Sequence, residues 1–194
     1  MFHHPYLYSY PYGVSEQRYA TGGYQHRAGC HCSTKAVPRP AGVVRDYGPN
    51  PLVININEAT KLNKTFRTAL WTGKHFQITL MSLNPGEDIG LEMHPEVDQF
   101  LRVEQGQGIV KMGKTKNQLT FQKEVFDDFA IVIPAGTWHN LTNTGNGPLK
   151  LYSIYAPPNH PFGTVHATKA DALAAEEFHG HSRYQYATVQ RTYL

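Results

Sequence analysis

From Val53 onward the chain is a succession of short apolar or alternating runs: PLVININ, KHFQITLMSL, DQFLRV, GIVKMG, LTFQKEV, FAIVIPAG, HNLTNT and LKLYSIYAPP. Gly, Asn, Asp and Pro divide them, which is the pattern of strands joined by turns. Their close spacing, without helical stretches between them, predicts an antiparallel sandwich or barrel rather than a parallel α/β sheet. After the strands, ATKADALAAEEFHG has the marks of a helix: Thr168 as N-cap, alanine-rich propensity and Gly180 as a stop. The opening segment lacks any sustained period. Its Tyr6, Tyr8, Tyr10 and Tyr12 alternate, but Pro5 and Pro11 interrupt them and few aliphatic side chains are available for burial. The chain therefore divides into a low-complexity Tyr/His/Gly/Pro-rich arm over 1–50, a β-barrel over 51–165, and a short helix with a loose C-terminal tail over 166–194.

Composition narrows the class. With 194 residues, 40% of them hydrophobic, the chain suits one domain with irregular ends. The net charge of +3 is spread along the sequence rather than gathered in a stripe, which argues against nucleic acid as a partner. A basic leader followed by a long apolar run is absent, so a soluble, cytoplasmic protein with no membrane partner is expected. Cys30 and Cys32 sit side by side in GCHCST, which excludes a disulfide framework, and a lone C-x-C lacks the second pair of a closed zinc site.

The candidate chemistry lies in GLEMHPEVDQFLRV and IVIPAGTWHNLTN. Side chains alternate along a strand, so Glu92 and His94 share a face, their Cα atoms about 6.5–7 Å apart, close enough to meet at one centre. Gln99 would face the opposite way in an unbroken strand. Pro95 and Asp98 supply a break that resets the alternation, after which Gln99, Leu101 and Val103 resume on the inner face. His139 follows a Pro-Ala-Gly turn and leads a strand in which His139, Leu141 and Asn143 share a face. Glu92, His94, Gln99 and His139 thus form a candidate metal-ligand set. Gln77, Trp138, Tyr152 and Tyr155 are candidates for the rim, though alternation leaves open which face each takes. His3, His4, His160, His166, His179 and His181 read as solvated loop or tail residues. Arg67, Arg102 and Lys111 are the cations available to a phosphorylated substrate, with Arg102 facing away from Gln99.

These two stretches resemble the paired motifs of the cupin superfamily, small jelly-roll β-barrels. Gly86 opens the first motif, Glu92 and His94 occupy its two histidine positions, Gln99 its glutamate position, and Gly106 closes it. In the second, Asp128 stands where the family has glycine, followed by Pro134, Gly136, His139 and Asn143. The resemblance implies an all-β fold, a single jelly-roll barrel with a short C-terminal helix and an irregular N-terminal arm, and a homodimer. It also implies one divalent metal ion per chain, iron, manganese, nickel or zinc, held by Glu92, His94, Gln99 and His139. Three positions depart from the pattern. Asp128 is a turn substitution, since Asp tolerates the left-handed backbone. Glu92 and Gln99 exchange the carboxylate between two vertices and keep the total charge, leaving two imidazoles and one carboxylate with an amide as optional fourth ligand. The amide of Gln99 alternatively orients a bound water.

Open coordination positions would let the ion polarise a substrate oxygen or, for a redox-active metal, engage dioxygen. Glu92 is then a candidate general base. Similar proteins act on small molecules as oxygenases, isomerases or decarboxylases, and that class is the expectation. The contrasting expectation comes from the tails: Tyr-rich segments resemble those of bacterial spore-coat and surface proteins, in which the barrel would serve as a non-catalytic scaffold. A non-catalytic binder of a small ligand is the third.

Overall fold

The computed structural model describes residues 45–176. The Tyr-rich stretch, Cys30, Cys32, Gly180 and the C-terminal tail lie outside those residues. The described chain runs α1 (Ile56–Leu62), β1 (Arg67–Thr72), β2 (Gln77–Leu83), β3 (Asp98–Gln105), β4 (Gln107–Gly113), β5 (Phe121–Phe126), β6 (Ala130–Ile133), β7 (Trp138–Asn143), β8 (Leu149–Ala156) and β9 (Val165–His166). A six-stranded sheet has the order β6-β3-β8-β2-β1-β9, and a three-stranded sheet the order β5-β4-β7. All pairings are antiparallel. This is the antiparallel sandwich expected from the strand pattern and the jelly-roll that the resemblance implies.

The two sheets face each other across one apolar core. Met81, Leu83, Leu101, Val103, Leu149 and Leu151 come from the larger sheet, and Val110, Val125 and Leu141 from the smaller. Register explains how the core grades into a polar end. Gln77, Tyr155, Gln99 and Ile133 lie in one row across four strands, and Thr79, Ser153, Leu101 and Ile131 in the next. Met81, Leu151 and Val103 follow, and Leu83 pairs with Leu149 at the far end. Because inward positions recur every second residue, the sequence writes polarity into one end of each strand and hydrocarbon into the other.

Turns fix these registers. Gly106, between β3 and β4, has φ +92°, and a Cβ there would lie 2.9 Å from the carbonyl oxygen of Pro148. Only glycine fits without backbone movement. Asp128 has φ +70°, the left-handed conformation expected from its place in the second motif. Its carboxylate pairs with Arg102, which also meets Glu104 at 3.0 Å on the outer face.

PLVININ is a finding against expectation. Its residues form no strand, and Asn55 instead caps α1, its side chain accepting a hydrogen bond from the Glu58 N–H at 3.1 Å. The alternation of Ile54 and Ile56 serves packing: both join Leu52, Ala59, Leu70, Leu80 and Tyr152 in a second apolar cluster on the outer face of the larger sheet. A strong N-cap with Glu58 in the first turn and Lys61 in the last outweighs a short period-two run. β1 was also missed by the pattern, since four successive residues, Arg67 to Leu70, are buried and leave no polar face to alternate with. The segment before α1 is tied to the end of β1 and to the loop before β9, the Asp46 carboxylate accepting from the Thr72 N–H at 2.9 Å and the Gly163 N–H at 3.0 Å.

The C-terminal helix spans at least 169–176. Thr168 caps it reciprocally, its hydroxyl accepting from the Asp171 N–H at 3.2 Å while the Asp171 carboxylate accepts from the Thr168 N–H at 2.9 Å. Ala172 inserts into the main core, and Lys169 pairs with Asp88 at 2.7 Å. Among the described residues, no helix is long and apolar enough to cross a membrane.

Candidate metal centre

A segment between β2 and β3 runs along β7 and delivers the first two candidate ligands. The Glu92 N–H donates to the His139 carbonyl at 3.1 Å, and the His139 N–H returns to the Glu92 carbonyl at 2.9 Å. Farther along, Ile89 N–H meets the Leu141 carbonyl at 3.1 Å, which holds the segment as an irregular fourth strand of the smaller sheet. Two residues beyond Glu92, the His94 carbonyl accepts from the Gly136 N–H at 2.8 Å. The turn before β7 therefore locks His94 beside His139.

The side chains converge. Glu92 Oε1 lies 3.5 Å from His94 Nε2 and 3.4 Å from His139 Nε2. The three ligand atoms lie within 4.8 Å of one another, a cluster that could hold a metal ion. His139 is fully buried, whereas Glu92 and His94 keep 17% and 13% of their side-chain exposure, so the cluster is reached from one side. His139 Nδ1 lies 2.9 Å from the Thr137 carbonyl oxygen. A carbonyl can only accept, so Nδ1 carries the proton and Nε2 turns a lone pair toward Glu92.

Gln99 is 2% exposed and faces the barrel interior, so the alternation is reset between His94 and β3 as the sequence suggested. Its Nε2 donates to Ser153 Oγ at 3.1 Å, leaving Oε1 without a partner. Among the buried side-chain atoms without a hydrogen-bond partner in the described residues are Glu92 Oε1, His94 Nε2, Gln99 Oε1 and His139 Nε2. Buried polar atoms are nearly always satisfied, and these four are the atoms a cation would satisfy. The donor set therefore fits a divalent ion.

Burial pushes the Glu92 carboxyl up, but hydrogen bonds from the His139 and His94 imidazoles, which donate to it when protonated, and the charge of Arg67 outweigh it. The group is held well below the usual carboxylate range. It remains an anion through any ordinary pH, as a ligand must.

The sequence left the direction of several surrounding residues open and misread one. Tyr155 is fully buried, its ring edge-on to His94 at 5.8 Å, and burial pushes its phenol up so that it stays protonated. Tyr152, three residues earlier on the same strand, faces the opposite side and packs on the outer cluster instead. Trp138 sits under Lys116, 5.9 Å from the ring centroid, and Gln77 is fully buried. Arg67 is buried on the inner side of β1. His160, read from the sequence as solvated, is a correction. Its backbone N–H donates to Gln77 Oε1 at 3.0 Å and its carbonyl accepts from Gln77 Nε2 at 2.9 Å, which sets the imidazole edge-on to Tyr155 at 5.0 Å with Nε2 buried. The clasp joins residues 83 apart, beyond the reach of local pattern.

Burial, followed by the charge of Arg67, pushes His160 down to about 3. The folded protein then holds it neutral while the unfolded chain takes up a proton below about 6.5, so stability rises with pH between those values. In metal-free protein, His160→Gln is expected to remove a pH-dependent loss on the order of 2 kcal/mol between pH 7 and 4. Chemical denaturation across that range measures it, and a difference from wild type that does not vary with pH would contradict the assignment.

A family model described as "Cupin domain" matches residues 79–155, which include all four candidate ligands. The uncharacterised protein YrkC of Bacillus subtilis (strain 168) is 77% identical over 135 residues, covering 70% of this chain and 73% of that protein. The uncharacterised protein L612 of Acanthamoeba polyphaga mimivirus is 44% identical over 114 residues, 58% of this chain and 69% of its own. The crystal structure of BH2720 from Bacillus halodurans is similar with a TM-score of 0.67 at 68% identity, over 68% of this chain and 99% of that one.

Proposed function

The chain belongs to the cupin superfamily, and from that premise we propose that it binds one divalent metal ion through Glu92, His94 and His139, with Gln99 as fourth ligand, and acts on a small molecule there. The observation that carries this reading is the convergence of unpartnered Glu92 Oε1, His94 Nε2 and His139 Nε2 within 4.8 Å of one another, with the unpartnered Oε1 of buried Gln99 at the same polar end of the barrel. Iron, manganese, nickel and zinc all suit two imidazoles and a carboxylate. When bound, such an ion supplies Lewis-acid polarisation of a substrate oxygen or, for a redox-active metal, chemistry with dioxygen.

The protein's own residues prepare the site for oxygenase, isomerase or decarboxylase chemistry. Thr137 fixes the His139 tautomer, so the lone pair is presented without reorganisation. Glu92 is the most exposed of the three clustered ligands and so the one a bound substrate would meet first, its lowered carboxyl suiting it to ligation before base chemistry. Tyr155 and His160, both neutral, wall the interior side and keep bulk water from it.

Elemental analysis of protein purified without added metal tests the reading. About one ion per chain is expected in wild type and none in His94→Ala, with the variant still folded by circular dichroism. Equal metal in the two proteins would overturn it.

A further inference from the structure

The segment that delivers Glu92 and His94 carries one residue more than the strand it pairs with. Asp88 lies opposite Thr142 and Glu92 opposite His139, so four steps along the segment match three along β7. Gly90, with φ +98°, lies within the longer span, which is the form of a β-bulge. A Cβ at Gly90 would meet nothing within 4 Å, so the glycine answers to backbone conformation rather than to space.

The bulge decides which side chain enters the centre. Cross-strand partners share a face, and Ile89, bonded to Leu141, lies with it in the main core. Were the pairing regular beyond Ile89, Leu91 would lie opposite His139, and Glu92 and His94 would both point away from the barrel. Instead Leu91 is 37% exposed and Glu92 Oε1 meets the two imidazoles. Without a cation the slipped pairing gains twice, since it buries an apolar side chain and returns a carboxylate to water. The observed register therefore needs a lock.

The C-terminal helix supplies one. The Gly90 N–H donates to Asp88 Oδ1 at 2.7 Å, closing a turn across the bulge, and Lys169 Nζ, from the first turn of the helix, donates to the same oxygen at 2.7 Å. Both charged side chains are less than a third exposed, where salt screens a pair less than at the open surface. The helix is itself seated on the barrel: Ala172 is 3% exposed in the main core, and Glu176 lies 3.6 Å from Arg67 of β1.

We propose that Asp88 and Lys169 are positioning residues for the metal centre, and that docking of the C-terminal helix is coupled to occupation of the centre. The pair locks the Gly90 bulge, the bulge keeps Glu92 and His94 turned inward, and a bound ion holds the helix in return, because coupling between two sites is reciprocal. The lock stands on the protein alone, and its effect on the ion rests on the metal-binding reading.

Zinc titration against a competing chromophoric chelator, beside amide hydrogen exchange of the metal-free protein, tests it. Lys169→Met is expected to weaken zinc binding about 5-fold or more. In the metal-free protein it should speed exchange of the Glu92 and His139 amides by a similar factor, with the Leu151 amide of the central strand β8 unchanged. Lys169→Arg should restore both. Asn143→Ala, which loosens the far end of the barrel, should bind zinc as wild type does, and so separates positioning from mere loss of stability. Wild-type zinc affinity in Lys169→Met, Glu92 and His139 amides that exchange no faster, failure of Lys169→Arg to restore either, or equal weakening in Asn143→Ala would each overturn the proposal. Should Lys169→Met not fold, Asp88→Asn, which keeps an acceptor for Gly90 and discharges the pair, is judged by the same two measurements. Wild type that takes up no zinc overturns the metal reading, and amide exchange of that same protein still judges the lock.

Discussion

Stripping the metal from the wild-type protein is expected to lower its melting temperature by roughly 10–20 °C. Any ligand that binds the folded state alone stabilises it, by about 4 kcal/mol at a thousandfold excess over its dissociation constant. For a domain of this size each kcal/mol moves the transition by about 3–5 °C. The effect has a structural reason beyond mass action. Without the ion, Glu92 Oε1, His94 Nε2, Gln99 Oε1 and His139 Nε2 are buried or nearly so with nothing to satisfy them. His139→Ala should reproduce the metal-free state permanently. Because Glu92 and His139 also pair through their backbones, the segment that carries Glu92 and His94 stays docked on β7 when the imidazole is removed. The variant should therefore fold, melt near the chelated wild type, and show no response to metal or chelator. Thermal melts of both proteins with added metal and with chelator measure this. Superimposable wild-type melts under the two conditions would contradict it.

Asn143→Ala should do the reverse, costing about 3–4 kcal/mol of stability while leaving metal content intact. Asn143 lies four residues after His139 on the same face of β7 and is 1% exposed. Its Nδ2 donates to the carbonyls of Leu83 at 3.0 Å and Gly147 at 2.9 Å, and its Oδ1 accepts from the Gly145 N–H at 2.9 Å. Alanine leaves these backbone groups short of a partner, at about 1 kcal/mol or more for each, the buried Leu83 carbonyl being the costliest. The bonds tie the β7–β8 turn to the end of β2, at the apolar end of the barrel where Leu83 faces Leu149, away from the row of Gln77, Tyr155 and Gln99. Urea denaturation read beside elemental analysis separates the two effects. Metal loss at unchanged stability would show that Asn143 serves the centre rather than the turn.

The contrast between these two residues bears on what a sequence can reveal. Strands β2 to β8 were legible because short apolar or alternating runs and the turn residues between them are local properties, and the inward face of Gln99 followed from Pro95 and Asp98. The left-handed backbone at Asp128 followed from the resemblance, which puts glycine at that position. Where burial is two-sided, the signal vanishes: Arg67-Thr68-Ala69-Leu70 gives no alternation, and β8 carries apolar residues on both faces, so neither Arg67 nor Tyr155 declared its direction. PLVININ misled because a single side-chain cap at Asn55, in the company of a core for Ile54 and Ile56, overrides a short alternating run. His160 could not be read at all, its position being set by Gln77 from a distant strand. Ligand spacing was visible along each motif, whereas the neighbours that surround the ligands come from the topology.

Anomalous diffraction at the absorption edge of the bound metal, from crystals of protein purified without added metal, tests the central claim most directly. The account predicts one peak per chain, about 2.0–2.3 Å from Glu92 Oε1, His94 Nε2 and His139 Nε2. A map with no peak there, in which the Glu92 carboxylate instead accepts hydrogen bonds from the two imidazoles, would contradict it.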